Sequence, residues 1–317
     1  MLKLGIIGLG DIAQKAYLPV YSGMKDVEFH LHTRNQDKLR SIGSQYRFEN
    51  LHSSMESLLD SGIKGALIHS STASHEEIVY ELLQHNIHVF VDKPITDHYE
   101  GAKKLVELAE EKDLILMTGF NRRYAPSYVK LKEVANPNMV VVQKNRKGLP
   151  GEPRTFIYDD FIHVVDTMRY LFPSPIENLI VNGRMEGDKL YHVVVQFISG
   201  GATAIGIMNR DNGTNEEIAE VMGPMEKRTV YNVSKLVISK GMETIEVRGN
   251  DWEPTLFKRG FHQLVTDFID AIRTNAKPRF SAKDALETHE ICEKILVELA
   301  KGVGNNTYFL PTGQPEF

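Results

Sequence analysis

The 317-residue sequence predicts an α/β chain. A doubly wound parallel sheet is expected in residues 1–120, followed by an α+β domain in residues 121–317. Three observations carry this. Short apolar runs and helical patterns alternate through the first 120 residues. The first apolar run ends in closely spaced glycines. The second half instead passes from strand to strand before it closes in helices.

In order, "KLGIIGLG" is a strand and "DIAQKAYLPVYSGM" a helix with Ile12, Ala16 and Val20 on one side. "EFHLHTR" is a strand and "QDKLRSIGSQY" a helix. "GALIHSS" leads into the helix "SHEEIVYELLQHN". "IHVFVDKP" leads into "TDHYEGAKKLVELAEEKD", where Asp97 and Glu100 suit a capping box. "LILMTGF" is a further strand. Short connections between alternating elements favour a parallel sheet.

The turn after the first strand reads Gly8-Leu9-Gly10-Asp11-Ile12-Ala13, a G-x-G-x-x-A pattern. Between a strand and a helix this is the dinucleotide fingerprint of a Rossmann domain. Gly8 permits the tight turn, and Gly10 lets backbone approach a pyrophosphate. Ala13 keeps the helix close to the strand. Asp11 and Ile12 open the helix whose free N–H groups face the phosphates. An acidic residue about 20 positions further on would bind the ribose 2′-OH of NAD. The chain has Thr33 and Arg34 there. A hydroxyl and a guanidinium suit a 2′-phosphate, so the expected cofactor is NADP(H) in preference to NAD(H).

"VDKP" at 91–94, "SSTASH" at 70–75, "GFNRRYAP" at 119–126 and "DDFIHVVD" from 159 occur in an order that resembles the Gfo/Idh/MocA oxidoreductase family, most closely its MviM-like branch. The resemblance implies a large, mostly antiparallel open sheet with helices on one face for the second domain. "MVVVQKN", "YHVVVQFISGGATAIGIMNR", "EIAEVMGP", "KRTVYNV", "KLVISKG" and "ETIEVRG" have the strand character this requires. "HQLVTDFIDAIRT" and "SAKDALETHEICEKILVELAKG" read as closing helices. It also implies cofactor contacts at Ser70, Ser71, His75, Asp92 and Asn121. Lys93, Asp159 and His163 take the catalytic roles, and a cis bond is expected near Pro94.

On a helical wheel "DDFIHVVDTMRYLF" has an apolar stripe of Phe161, Val164 or Val165, Met168, and Leu171 or Phe172. Asp159, His163, Asp166 and Tyr170 share another face. Spacing alone describes an ordinary amphipathic helix. Hydride chemistry at an alcohol carbon also needs a group that moves the hydroxyl proton, and histidine does this near neutrality. A carboxylate can fix its tautomer, and a lysine can stabilise charge on the oxygen. The adjacent Asp160 leaves the identity of the carboxylate open. Asp166 is expected to be structural, bonding backbone or Arg169, and Arg122 is a further cleft candidate. The basic segment with Lys144, Arg146, Lys147 and Arg154 reads as a solvated surface loop, with a wall for an anionic substrate as the alternative.

A net charge of −5 gives no support for nucleic-acid binding. Cys292 is the only cysteine, so neither an internal disulfide nor a Cys-based metal site is expected, and a reducing cytoplasm fits. The histidines are scattered without metal-ligand spacing. No signal peptide or membrane-spanning run is apparent. The expected partners are a small-molecule substrate and further copies of the chain, in a homodimer or homotetramer formed through the C-terminal sheet. A non-catalytic NADP(H)-binding regulator is the competing function, since fold alone does not establish catalysis.

Overall fold

The computed structural model describes residues 1–302 and 306–309. The chain forms two compact units. One comprises Met1–Phe120 and Phe261–His289, the other Asn121–Gly260 and the segment from Glu290. The sequence boundary between 120 and 121 falls at this division, but the assignment of everything beyond 121 to the second domain needs correction. The helix Phe261–Thr274 buries Phe261, Leu264, Val265, Phe268 and Ile269. Phe268 packs on Phe90 of the parallel sheet, with ring centroids 5.8 Å apart. A periodic apolar stripe shows that a helix needs a partner, but it does not say which sheet supplies it.

The first unit has six strands: β1 (Leu2–Ile7), β2 (Val27–His32), β3 (Asn50–His52), β4 (Gly65–Ile68), β5 (His88–Val91) and β6 (Leu116–Thr118). They pair in the order β3-β2-β1-β4-β5-β6, all parallel. The order reverses beside β1, where such a sheet opens a crevice at its carboxyl ends. β4 is wholly buried, as a run covered on both faces should be. β3 is too short and too polar to stand out in the sequence.

Two local readings are corrected. The turn Ala13–Tyr17 is a π-helix that continues into the α-helix Leu18–Tyr21. This wider turn breaks the expected stripe: Ala16 and Val20 are buried, but Ile12 is 39% exposed. The helix Tyr99–Glu111 has His98 at its N-cap, without a side-chain cap. Its third helical position is Gly101, so Asp97 and Glu100 do not form a capping box.

The second unit carries β7 (Met139–Asn145), β8 (Asn178–Glu186), β9 (Lys189–Ser199), β10 (Ala202–Asn209), β11 (Glu216–Met222), β12 (Lys227–Tyr231), β13 (Lys235–Lys240), β14 (Glu243–Val247) and β15 (Asn306–Phe309). The sheet order is β14-β13-β12-β11-β7-β10-β9-β8-β15. Only β10 and β7 pair in parallel. β8 was not visible as a strand in the sequence, because glycine, asparagine and charge interrupt its alternation. β7, β9, β10 and β11 alternate buried with half-buried residues. The expected acid/base helix lies on the buried face. It begins as a π-helix, Phe156–Phe161, and continues as the α-helix Ile162–Leu171. Gly206 of β10 makes room for it, since a Cβ there would run into Met168 and lie 3.0 Å from Val164.

Candidate functional site

The first unit holds a pocket of about 710 Å³ at the carboxyl ends of β1, β2 and β4. Gly8, Gly10, Asp11, Ile12, Thr33, Arg34, Ser70 and Ser71 all line it. Gly8 has φ +88°, and a Cβ there would sit 2.5 Å from the Ser70 nitrogen. Both facts require glycine. Gly10 is different: a Cβ would meet only the His69 carbonyl at 3.9 Å. The space it leaves faces the pocket, so its lack of a side chain serves a visitor. Gly8 also donates its N–H to the His32 carbonyl at 3.0 Å, which ties the turn to the end of β2.

Thr33 and Arg34 follow β2 directly, and Lys38, from the next helix, joins them in the lining. The pocket thus presents a hydroxyl and two cations where a carboxylate would mark preference for an unphosphorylated ribose. With the glycine turn, these residues fit a dinucleotide. Lys38 and His69 were missed in the sequence. His69 is buried, Tyr17 stacks on it with centroids 3.9 Å apart, and its Nε2 meets the Tyr21 hydroxyl at 2.8 Å. Burial, followed by the nearby His75, pushes its pKa down to about 3. It is a neutral ring in the pocket wall.

His75 and Asp92 do not line this pocket. His75 is buried between the Pro94 carbonyl, 2.8 Å from Nδ1, and the Ser70 carbonyl, 3.2 Å from Nε2. It braces the Ser70 loop against the turn after β5. Asp92 accepts the Tyr17 hydroxyl at 2.8 Å. Burial raises its pKa, with Lys93 and then Tyr17 opposing. Gly119 lies against this pair, because a Cβ there would be 2.7 Å from Asp92 Oδ1. Both residues support the loops around the pocket.

Lys93 is half-buried immediately after β5, and the Lys93–Pro94 peptide is cis. The turn is held from a second side by His289. Its Nδ1 meets the Ala285 carbonyl at 2.8 Å, and its Nε2 accepts the Ile95 N–H at 2.9 Å. Only one tautomer satisfies both contacts, with the proton on Nδ1. His289 carried no signal in the sequence, because its role depends on a contact 194 residues away along the chain.

In the second unit, charged groups converge on the buried face of the sheet. His163 is 8% exposed, and its Nδ1 lies 2.9 Å from Arg122 Nη1. Its Nε2 lies 3.2 Å from the same Nη1, so a donor-only guanidinium sits beside both ring nitrogens. Arg122 also forms a two-bond fork with Glu217, with both contacts at 2.8 Å, and donates to Asn121 Oδ1 at 3.0 Å. Tyr128 adds a bond to Glu217 at 3.2 Å. The Asn121 amide donates to the Arg259 carbonyl at 2.8 Å. Asn121 therefore helps to position Arg122.

The choice between Asp159 and Asp160 narrows. Asp160 is held by Lys144 at 2.5 Å, Arg146 at 3.0 Å and Arg210 at 3.2 Å. Burial opposes its ionisation, but Lys144 and Arg146 hold its pKa far below the usual carboxylate range. It is committed to these cations, while Asp159 is exposed. Lys144 and Arg146 are consequently not part of a solvated loop, although Lys147 is exposed. Asp166 bonds Arg123 at 2.6 Å, both buried, a structural ion pair in keeping with the structural role expected of Asp166.

The profile described as "Oxidoreductase family, NAD-binding Rossmann fold" (GFO_IDH_MocA) matches residues 2–120, and "YceM-like, C-terminal domain" matches residues 126–241. The chain is 30% identical over 301 residues to "Putative oxidoreductase YceM" of Salmonella typhimurium, covering 93% of this chain and 97% of the relative. This chain belongs to the Gfo/Idh/MocA oxidoreductase family. The fold agrees with another dehydrogenase structure, MviM from Clostridium difficile, at a TM-score of 0.90 and 31% identity, covering 94% of this chain and 99% of that one. Myo-inositol 2-dehydrogenase of Thermotoga maritima is 23% identical over 309 residues, with 89% of this chain and 92% of the relative covered. Gfo/Idh/MocA membership accounts for the Rossmann unit and its nucleotide turn. Among the described residues no helix is long and apolar enough to cross a membrane, and no group of three or more His, Cys, Asp or Glu could hold a metal ion.

Proposed function

We propose that this Gfo/Idh/MocA protein is an NADP(H)-preferring dehydrogenase of a small sugar- or polyol-like metabolite, working in a reducing cytoplasm. The bound cofactor supplies or accepts the hydride. The observation that carries the reading is the presence, in one chain, of a pocket that fits a dinucleotide and of His163, a buried imidazole held beside the Arg122 guanidinium. Thr33, Arg34 and Lys38 in the pocket lining support a preference for a phosphorylated ribose. Lys93 hydrogen-bonds the reacting oxygen and stabilises charge on it. His163 exchanges the hydroxyl proton. Asp159 is the carboxylate left to orient the imidazole. The named activity of the myo-inositol relative supports a polyhydroxylated substrate class.

A panel of sugars and polyols, assayed with both reduced and oxidised cofactors, tests the reading. NADPH should bind at least about tenfold tighter than NADH, and Arg34→Asp should abolish that ratio. His163→Ala should lower turnover by about 10²–10⁴-fold while leaving cofactor affinity near its original value. An unchanged ratio in the Arg34 variant would remove the cofactor assignment. Full turnover in the His163 variant across pH would remove the proton-transfer role.

A further inference from the structure

Three adjacent strands of the second unit change character at the same end. On the buried face, β7 runs Val140, Val142, Lys144, and β10 runs Ala204, Gly206, Met208 to Arg210 just beyond it. β11 begins its buried set with Glu217, which pairs directly with Lys144 in the ladder. The apolar surface beneath the helix therefore ends in a charged floor, and Arg122, Arg146 and Asp160 close over it.

The charges in this floor do not balance. Among the described residues, Arg122, Lys144, Arg146 and Arg210 meet two carboxylates, Asp160 and Glu217, which leaves two positive charges over with Lys144 protonated and one with it neutral. The half-buried Arg259 adds to the excess, and burial and the field of Arg122 lower its pKa. Lys144 is 4% and Arg210 7% exposed. Arg210 stacks on Phe156 at 4.3 Å, and its buried Nε has no hydrogen-bond partner among the described residues. Excess buried positive charge and an unmatched guanidinium donor are costly unless something negative joins them.

We infer that the floor formed by Lys144, Arg146, Arg210 and Arg122 is the binding site for an oxyanion group, carboxylate or phosphate, carried by the sugar-like substrate. This rests on the dehydrogenase reading above and sharpens its substrate class from polyol to acidic polyol. Guanidinium forks match the planar oxygens of a carboxylate and the edges of a phosphate. The half-exposed Arg146 marks the open side of the cluster, with a side chain 35% accessible. Lys144 provides a built-in reporter. Burial and Arg122 push its pKa down to about 7 against the pull of Asp160 and Glu217, with Arg146 also opposing its charge. An incoming anion adds a further opposite charge and restores the lysine proton, so binding at pH 8 takes up a proton.

Calorimetric titration of the full chain tests this without requiring turnover. The probes are D-glucuronate and glucose 6-phosphate, with D-glucose and myo-inositol as neutral counterparts, each in two pH 8 buffers of different ionisation enthalpy. At least one acidic probe should bind tenfold or more tighter than its neutral counterpart, with uptake of up to one proton. The carboxylate and phosphate arms tell the two oxyanions apart. Arg146→Gln, at the half-exposed rim, should lose most of the preference, and Lys144→Met should lose the proton uptake. Circular dichroism checks that each variant is folded. If neutral and acidic probes bind alike, or the preference survives in a folded Arg146→Gln, the inference is overturned. Acid-selective binding without hydride transfer to any probe leaves the anion site standing and removes the dehydrogenase reading. Turnover confined to neutral polyols does the reverse.

Discussion

Lys144 shows how a single side chain can make stability depend on pH. Its ammonium is buried beside Arg122, and its pKa falls to about 7. The unfolded chain keeps the ordinary lysine value, so between about pH 7 and 10.5 the unfolded state binds more protons than the folded one. Stability therefore rises with pH across that window, and the cost of the buried charge is fully present below it. Glu217 has the opposite sign. Despite burial, the Arg122 guanidinium holds its pKa down to about 2, so its contribution is present above the ordinary carboxylate range and is lost as pH falls towards that value. Melting temperature measured from pH 6.5 to 9 in non-coordinating, anion-poor buffer should rise in the parent chain relative to Lys144→Met. The difference should reach on the order of 1–3 kcal/mol. Parallel curves for the two proteins would mean that Lys144 keeps its charge through its bond to Asp160.

The elements explain why the sequence disclosed one half of the chemistry better than the other. The nucleotide turn lies within thirteen consecutive residues, so its glycines, its helix and its place after a strand could all be read locally. The polar cluster is assembled from residues 122, 144, 146, 160, 163, 210 and 217, and only strand pairing together with the packing of the helix on the sheet brings them together. Once the register of β7 with β11 is known, Lys144 and Glu217 are obvious neighbours. Without it they are two charges in separate strands. The π-turn Phe156–Phe161 adds a second obstacle, because a 3.6-residue wheel misplaces every residue before Ile162 relative to those after it. The almost fully buried helix that follows depends on Gly206. Gly206→Val should drive a branched side chain against Met168 and Val164 and lower stability by about 1–3 kcal/mol. Met168→Ala in the same background should recover part of that loss, as measured by urea denaturation in a double-mutant cycle. Additive losses would show that the helix does not depend on this approach.

At the scale of the whole molecule, the strand-rich sheet has one face too many. Its inner face is covered by the helix on β7 and β10. The other face presents Val141, Val194, Ile198, Ile205 and Ile207, all half-buried, on three adjacent strands. The register clusters them: Ile205 lies beside Val141, Ile207 beside Val194, and Thr203 beside Ile198. Contiguous aliphatic residues on an otherwise polar exterior mark an association surface. A second copy of the chain is the occupant we propose, because a face repeated by two-fold symmetry is self-complementary. Light scattering coupled to gel filtration should give a mass that is a multiple of the 35.9 kDa chain, with a dimer or tetramer as the expected species. Ile205→Lys with Ile207→Lys places two charges at the centre of the patch, where each would have to be desolvated on association. The variant should shift the mass towards one chain while cofactor affinity stays constant, since the nucleotide pocket is built entirely from the other unit. A parent chain that runs as a monomer at micromolar concentration would leave this face without its proposed partner.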